Sequence, residues 1–260
     1  MIYRFKKELV NFLRSPKLWT GLLIGIVGFL VQISNFYKAV HVSGYGVNIY
    51  ETYVLGTANS WTNTISVAGL VFALSDMPYL SPFELSAVYR TEKLKRLFEK
   101  FLFNSICAAI YFAFQFIITV AITMPIGYAK NVWSACSSSI NGSIKAAFSP
   151  MSASFISLML IFTYGLMIIS ALFFLSLFIR KGVAISIIFV FQAIQHFMMT
   201  RELNFCWFCF FRNSILNYFD GLDFRIIANL SIELLVVFMT LIGVILIRNK
   251  ISYDVNTEDL

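Results

Sequence analysis

Residues 152–179 read SASFISLMLIFTYGLMIISALFFLSLFI, with no Lys, Arg, Asp or Glu among them. A helix needs about 20 such apolar residues to cross the ~30 Å hydrocarbon core of a bilayer. Working outward, five more windows of this kind occur: Leu18–Val40, Asn59–Met77, Phe101–Ile126, Val183–Thr200 and Ile226–Ile247. Asn59–Met77 is diluted by Ser and Thr, and Val183–Thr200 carries Gln192, Gln195 and His196. The composition agrees, at 59% hydrophobic and 13% charged residues with 28 Phe among 260. Ordinary globular chains have ~45–50% and ~25%. A soluble fold of this size needs more polar surface, and a disordered chain has far less apolar material. The fold class expected is therefore an all-α integral membrane protein with six transmembrane helices, forming one domain over residues 1–260.

The net charge of +7, from 20 Lys and Arg against 13 Asp and Glu, does not point to nucleic acid. The cations sit between the apolar windows and form no groove-sized patch. Their distribution sets the orientation instead. On one side lie Arg4, Lys6, Lys7, Arg14, Lys17, Arg90, Lys93, Lys95, Arg96, Lys100, Arg180, Lys181, Arg248 and Lys250. On the other lie Lys38, Lys130, Lys145, Arg201, Arg212 and Arg225, spread over longer stretches. That is 14 cations against 6. Both termini are expected on the cytoplasmic side of the cell membrane. The first window, at 23 residues, is too long for a signal-peptide core and no small-residue cleavage site cleanly follows it. It is expected to stay as an anchor.

Two cytoplasmic stretches have patterns of their own. In residues 1–17, Ile2, Phe5, Leu9, Phe12 and Leu13 form one apolar stripe at helical spacing, Arg4, Lys7, Asn11 and Arg14 lie towards the other side, and Pro16 closes the segment. This spacing predicts an amphipathic helix in the headgroup plane; the alternative is a basic topogenic flank. In the loop 78–100, Ser81-Pro82-Phe83-Glu84 combines a serine N-cap, proline at the first helical position and glutamate at the third. That capping box predicts a short helix from Pro82 to about Tyr89, with Thr91 capping a second one. The residues alone leave a partner-docking helix and a simple positive turn equally open.

Asp76-Met77-Pro78 at the end of the second window, Pro82-Phe83-Glu84, and Tyr89-Arg90-Thr91 before a basic run together resemble the first cytoplasmic loop of ABC-2-type transporter permeases. The amino-terminal helix, the six spans and the cytoplasmic termini fit the same family, with Glu92 standing where a small residue is expected. The resemblance implies a transport subunit that is not itself an enzyme. Phe83, Glu84, Tyr89 and Arg90 would form a coupling helix docking on a separate nucleotide-binding subunit, which carries the ATP and Mg. In agreement, the chain contains no G-x-x-x-x-G-K-[ST] phosphate loop. The family further implies a second permease subunit, identical or different, and outward movement of a hydrophobic or amphipathic cargo such as a peptide, antimicrobial or lipid-like compound.

Within the spans, Glu233 lies seven residues into the last window. A carboxylate costs ~2.5–3.5 kcal/mol at a helix centre, less near an edge. Glu233 therefore lines a translocation path or dimer interface, or it reaches the outer headgroups or Arg225. Gln192, Gln195 and His196, at i, i+3 and i+4, share one helix face. That face bonds to a neighbouring helix or lines the path. Gln115 is the other polar residue within a span, and Asp76 is placed to pair with Arg96 or Lys100 of the following loop.

The stretch 201–225 contains Asn204-Phe205-Cys206-Trp207-Phe208-Cys209-Phe210-Phe211, too aromatic for a solvated loop. It fits an interfacial belt or a re-entrant hairpin, as ABC-2-type permeases often have before the last span. Gly127–Pro150 reads as an exposed loop without chemistry. Of the four cysteines, Cys107, Cys136, Cys206 and Cys209, only the last two are closely spaced. They form a structural disulfide or two interfacial thiols; with Cys136, a thiol oxidoreductase is the competing reading. The histidines supply no spaced ligand set, so no metal is expected. A membrane-embedded enzyme lacks its reactive cluster, since there is no H-E-x-x-H and no paired carboxylate. A scaffold or immunity protein working without ATP is the remaining alternative.

Overall fold

The computed structural model describes residues 2–43, 46–75, 93–135, 140, 142–201, 209–219 and 224–247. The helix expected around Phe83, Glu84, Tyr89 and Arg90 lies outside these residues, as do Asp76, Cys136 and Cys206.

The chain is mostly helical. Helix α1, Ile2–Arg14, is joined through Ser15 to α2, Pro16–Ser43. Pro16 opens α2 where its missing N–H is harmless, and the Ser15 hydroxyl accepts from Lys17 N at 3.3 Å. Along α1, Phe12 is fully buried and Leu9 and Leu13 are half-buried against the bundle, while Asn11 and Arg14 are exposed. This part of the apolar stripe packs on protein. Trp19 Nε1 donates to the carbonyl of Leu13 at 3.0 Å, which ties the end of α1 to α2.

The second window, Asn59–Met77, holds one short helix and is preceded by another that the sequence did not mark. Strand β1, Val47–Asn48, leads into α3, Glu51–Ala58, and then α4, Ser60–Ala73. The helix breaks at Asn59, whose extended backbone lets its side chain accept from Trp61 N at 3.0 Å and Thr62 N at 3.2 Å. Asn63 Nδ2 closes the other side of the junction by donating to Thr57 O at 2.7 Å. At ~1.5 Å per residue, α4 alone is too short to cross a bilayer. The first seven residues of α3 are all buried. An eight-residue helix buried all round shows no amphipathic stripe, so the sequence pattern passes over it.

Helix α5, Lys93–Thr123, begins eight residues before its window. Strand β2, Gly127–Tyr128, pairs parallel with β1, Val47 opposite Gly127. Helix α6, Gly142–Ala147, precedes the central helix α7, Pro150–Ser176. A capping box between Ser149 and Ser152, with Pro150 at the first position, starts α7. Helix α8, Lys181–Thr200, is followed by α9, Phe210–Asn213, a 3-10 turn at Leu216–Tyr218, and α10, Phe224–Ile247.

Five of these helices, α2, α5, α7, α8 and α10, are long and apolar enough to cross a membrane. Their outward faces are apolar: Trp19, Leu23 and Val27 on α2, Val183, Val190 and Phe197 on α8, Leu235, Phe238 and Leu246 on α10. Apolar residues exposed over this extent need lipid as solvent. The protein is a helical membrane protein.

Helices α2 and α4 pack backbone to backbone. A Cβ on Gly21 would stand 2.5 Å from Gly69 O, and one on Gly69 would stand 2.3 Å from Gly21 O. Such small-residue contacts draw helices together where no hydrophobic force acts between them. Helix α5 seals the groove. Tyr111 Oη reaches the carbonyls of Ser66 at 2.9 Å and Gly21 at 3.2 Å. Gln115 Nε2 donates to Gly25 O at 3.0 Å and its Oε1 accepts from Ser66 Oγ at 2.8 Å. Tyr111→Phe should cost about 1 kcal/mol, since it removes these bonds and keeps the ring. The melting temperature in detergent is then expected to fall by ~2–4 °C.

The segment Gly127–Pro150 is not the bare exposed loop its composition suggests. Asn48 Nδ2 donates to the carbonyls of Lys130 and Val132, and Trp133 Nε1 donates to Phe148 O at 2.8 Å. Ser134, through both its amide and its hydroxyl, donates to the carboxylate of Glu51, which is fully buried at the start of α3. Lys145 of α6 adds a favourable charge interaction. Ile140 and Ile144 then join Phe36, Val47, Val54, Leu216 and Phe219 in a second apolar cluster at this end of the bundle.

Candidate functional site

The polar residues of the spans converge in the interior. On α8, Gln192 and Gln195 are each 4% exposed and His196 is half-buried, all on the face turned to the bundle. Gln192 Oε1 accepts from Tyr164 Oη of α7 at 2.8 Å, while its Nε2 is buried with no hydrogen-bond partner. Gln195 Oε1 accepts from Phe211 N of α9 at 3.3 Å. The thiol of Cys209, also buried, points to Gln195 O at 3.9 Å. His196 Nδ1 lies 3.1 Å from Thr64 Oγ1 of α4, and its ring rests 4.4 Å from that of Trp61.

Glu233 is fully buried on α10. Its Oε2 lies 2.6 Å from Thr163 Oγ1, and its Oε1 accepts from Asn229 Nδ2 at 3.2 Å. Arg225, the partner considered from sequence, is exposed two turns away and is replaced by these two neutral groups. Thr163 and Tyr164 are adjacent on α7 and reach different neighbours, one α10 and the other α8. A single band of polar contacts therefore runs through four helices: Thr64 and His196, Gln192 and Tyr164, Thr163 and Glu233. Each link joins two different helices, so the band fixes their relative rotation.

No protein-family model, no curated protein and no solved structure matches the chain.

Gln192, Gln195 and His196 lie on one face of α8, and Glu233 of α10 joins Gln192 and His196 in the band through α7, with Gln195 bonded instead to α9. Sequence reasoning missed Thr163, Tyr164, Asn229 and Thr64, which complete the band. Single hydroxyls and amides in a span carry little signal until a neighbouring helix is known. It also missed the Tyr111–Gln115–Ser66 seam, although Gly21-x-x-x-Gly25 marks a helix-packing face and could have placed it. Among the described residues, no group of three or more His, Cys, Asp or Glu could hold a metal ion.

Proposed function

We propose that the chain is the membrane subunit of an ABC-type exporter, a permease of the ABC-2 kind. Two such subunits would work with two nucleotide-binding subunits that supply ATP hydrolysis. The cargo would be hydrophobic or amphipathic. In this reading α4, extended by α3, makes the second of six crossings, both termini are cytoplasmic, and the loop through Phe83, Glu84, Tyr89 and Arg90 is the coupling element.

The observation that carries the reading is the seating of α1. It is amphipathic, joined to the first long helix by one residue, and anchored in the core through Phe12. Helix α1 packs on α5 as well as on α2, with Phe12 in one apolar cluster with Phe101 and Phe103, just beyond the basic Lys93–Lys100 stretch. An α1 held this way and a capped loop helix together would offer a cytoplasmic partner one docking face. The short elements α9 and Leu216–Tyr218 before α10 add support, as they occupy the place of the re-entrant segment the resemblance implies.

The test is purification of the chain with its native ATPase partner in lipid, with transport and hydrolysis followed together. Phe83→Ala and Glu84→Ala should leave insertion intact and reduce cargo-stimulated ATPase activity by tenfold or more. Wild-type coupling in both variants would remove the docking role, and the absence of any co-purifying ATPase would remove the exporter itself.

A further inference from the structure

The contact between Glu233 and Thr163 determines where a proton sits. Thr163 Oγ1 carries one hydrogen and has two oxygen neighbours: Leu160 O at 3.0 Å, one turn back on α7, and Glu233 Oε2 at 2.6 Å. The Leu160 carbonyl can only accept. If the Thr163 hydrogen goes to Leu160, the short contact to Glu233 needs a hydrogen from the carboxyl side. The other carboxyl oxygen, Oε1, already receives Asn229 Nδ2 at 3.2 Å and so acts as an acceptor.

One assignment uses every hydrogen once. Asn229 N–H donates to Oε1, Oε2–H donates to Thr163 Oγ1, and Oγ1–H donates to Leu160 O. An ionised carboxylate breaks the chain, because Thr163 must then give up one of its two partners. It also places a full charge at a site with 0% exposure in an apolar bundle. Thr163 and Asn229 are the groups bonded to Glu233; of the titratable side chains nearby, Tyr164 on α7 is a phenol and Cys209 beyond it a thiol. Among the described residues no Lys, Arg or His acts on this carboxyl.

We infer that Glu233 is a proton-binding site within the membrane: a neutral carboxylic acid at neutral pH that donates to Thr163 across the α7–α10 contact. Both of its oxygens are occupied and buried, so the proton exchanges only when α10 separates from α7 at this level. This holds whether or not the chain is an exporter.

Infrared difference spectra of the full chain in lipid nanodiscs test it at pH 7. Wild type minus Glu233→Gln should show a carboxylic-acid carbonyl band that shifts in D2O. A carboxylate stretching pair in its place would overturn the assignment and make the site one for a cation. Glu233→Gln offers an N–H to Thr163 and a carbonyl to Asn229, so it should melt with the wild type. A large loss of stability would count against a neutral acid. Thr163→Val retains volume but removes the acceptor, and should move the carbonyl band to higher frequency as its hydrogen bond is lost. An unchanged band would refute donation to Thr163.

Discussion

Gly69→Val should abolish recovery of folded, monodisperse protein. The new Cβ would meet Gly21 O at 2.3 Å, Tyr111 Oη at 2.5 Å and Gly25 N at 3.0 Å. Two of these atoms are backbone on the facing helix, so no rotamer change relieves the overlap. Helices α2 and α4 would have to part, at a typical overpacking cost of 1–3 kcal/mol, roughly. Parting them also pulls Gly21 O and Gly25 O away from Tyr111 and Gln115, at about 1 kcal/mol for each bond. The sum, on the order of 4 kcal/mol, is a large share of a domain's 5–15 kcal/mol or so. Size-exclusion chromatography in detergent checks the result. Gly142→Val, where a Cβ meets nothing within 4 Å, is the matched control. A Gly69→Val protein that elutes and melts like wild type would rule out the backbone contact.

The second large effect is local. Glu51→Ala removes the acceptor of both the Ser134 amide and hydroxyl and leaves a buried N–H unpaired. Such a loss costs about 1–3 kcal/mol. It should loosen the Gly127–Pro150 segment around Ser134 while the long helices stay folded, the ties that remain including the β1–β2 pair, Asn48, Asn131, Trp133 and the second apolar cluster. Hydrogen exchange should rise roughly ten- to hundredfold at Val132–Ala135 and along α6, with α7 below its first turn unchanged. Glu51→Gln keeps one acceptor and should fall between. Wild-type protection in Glu51→Ala would show that the cap does not depend on this carboxylate.

What was legible in the sequence follows from the range of the interactions. Helices α2, α5, α7, α8 and α10 come from long apolar runs, a local property, and their windows match within a few residues except at the start of α5. The basic Lys93–Lys100 stretch there is helical and continuous with the span, in line with the helix that the sequence opens after Thr91. The stripe of α1 was readable, but what Leu9, Phe12 and Leu13 cover was not. The cap over residues 127–150 was missed because its burial depends on Asn48 and Glu51, more than 80 positions earlier. Composition cannot register a partner at that separation. The face of Gln192, Gln195 and His196 was found by periodicity. Its links to Thr64, Tyr164 and Phe211 depend on how three other elements are placed.

The break at Asn59 has a mechanical meaning. A continuous helix transmits displacement along its whole length, whereas two short rods joined at one residue can bend at the joint. The upper rod, α3, is clamped by the Glu51 cap and buried on every side. The lower rod, α4, lies against α2 backbone to backbone at Gly69 and Gly21, and Tyr111 and Gln115 of α5 bond to both helices there. A pull arriving along α4 would therefore carry α2 and α5 with it at this level rather than slide between them. His196, bonded to Thr64, moves with it, and the motion ends at Asn59 before it reaches the cap.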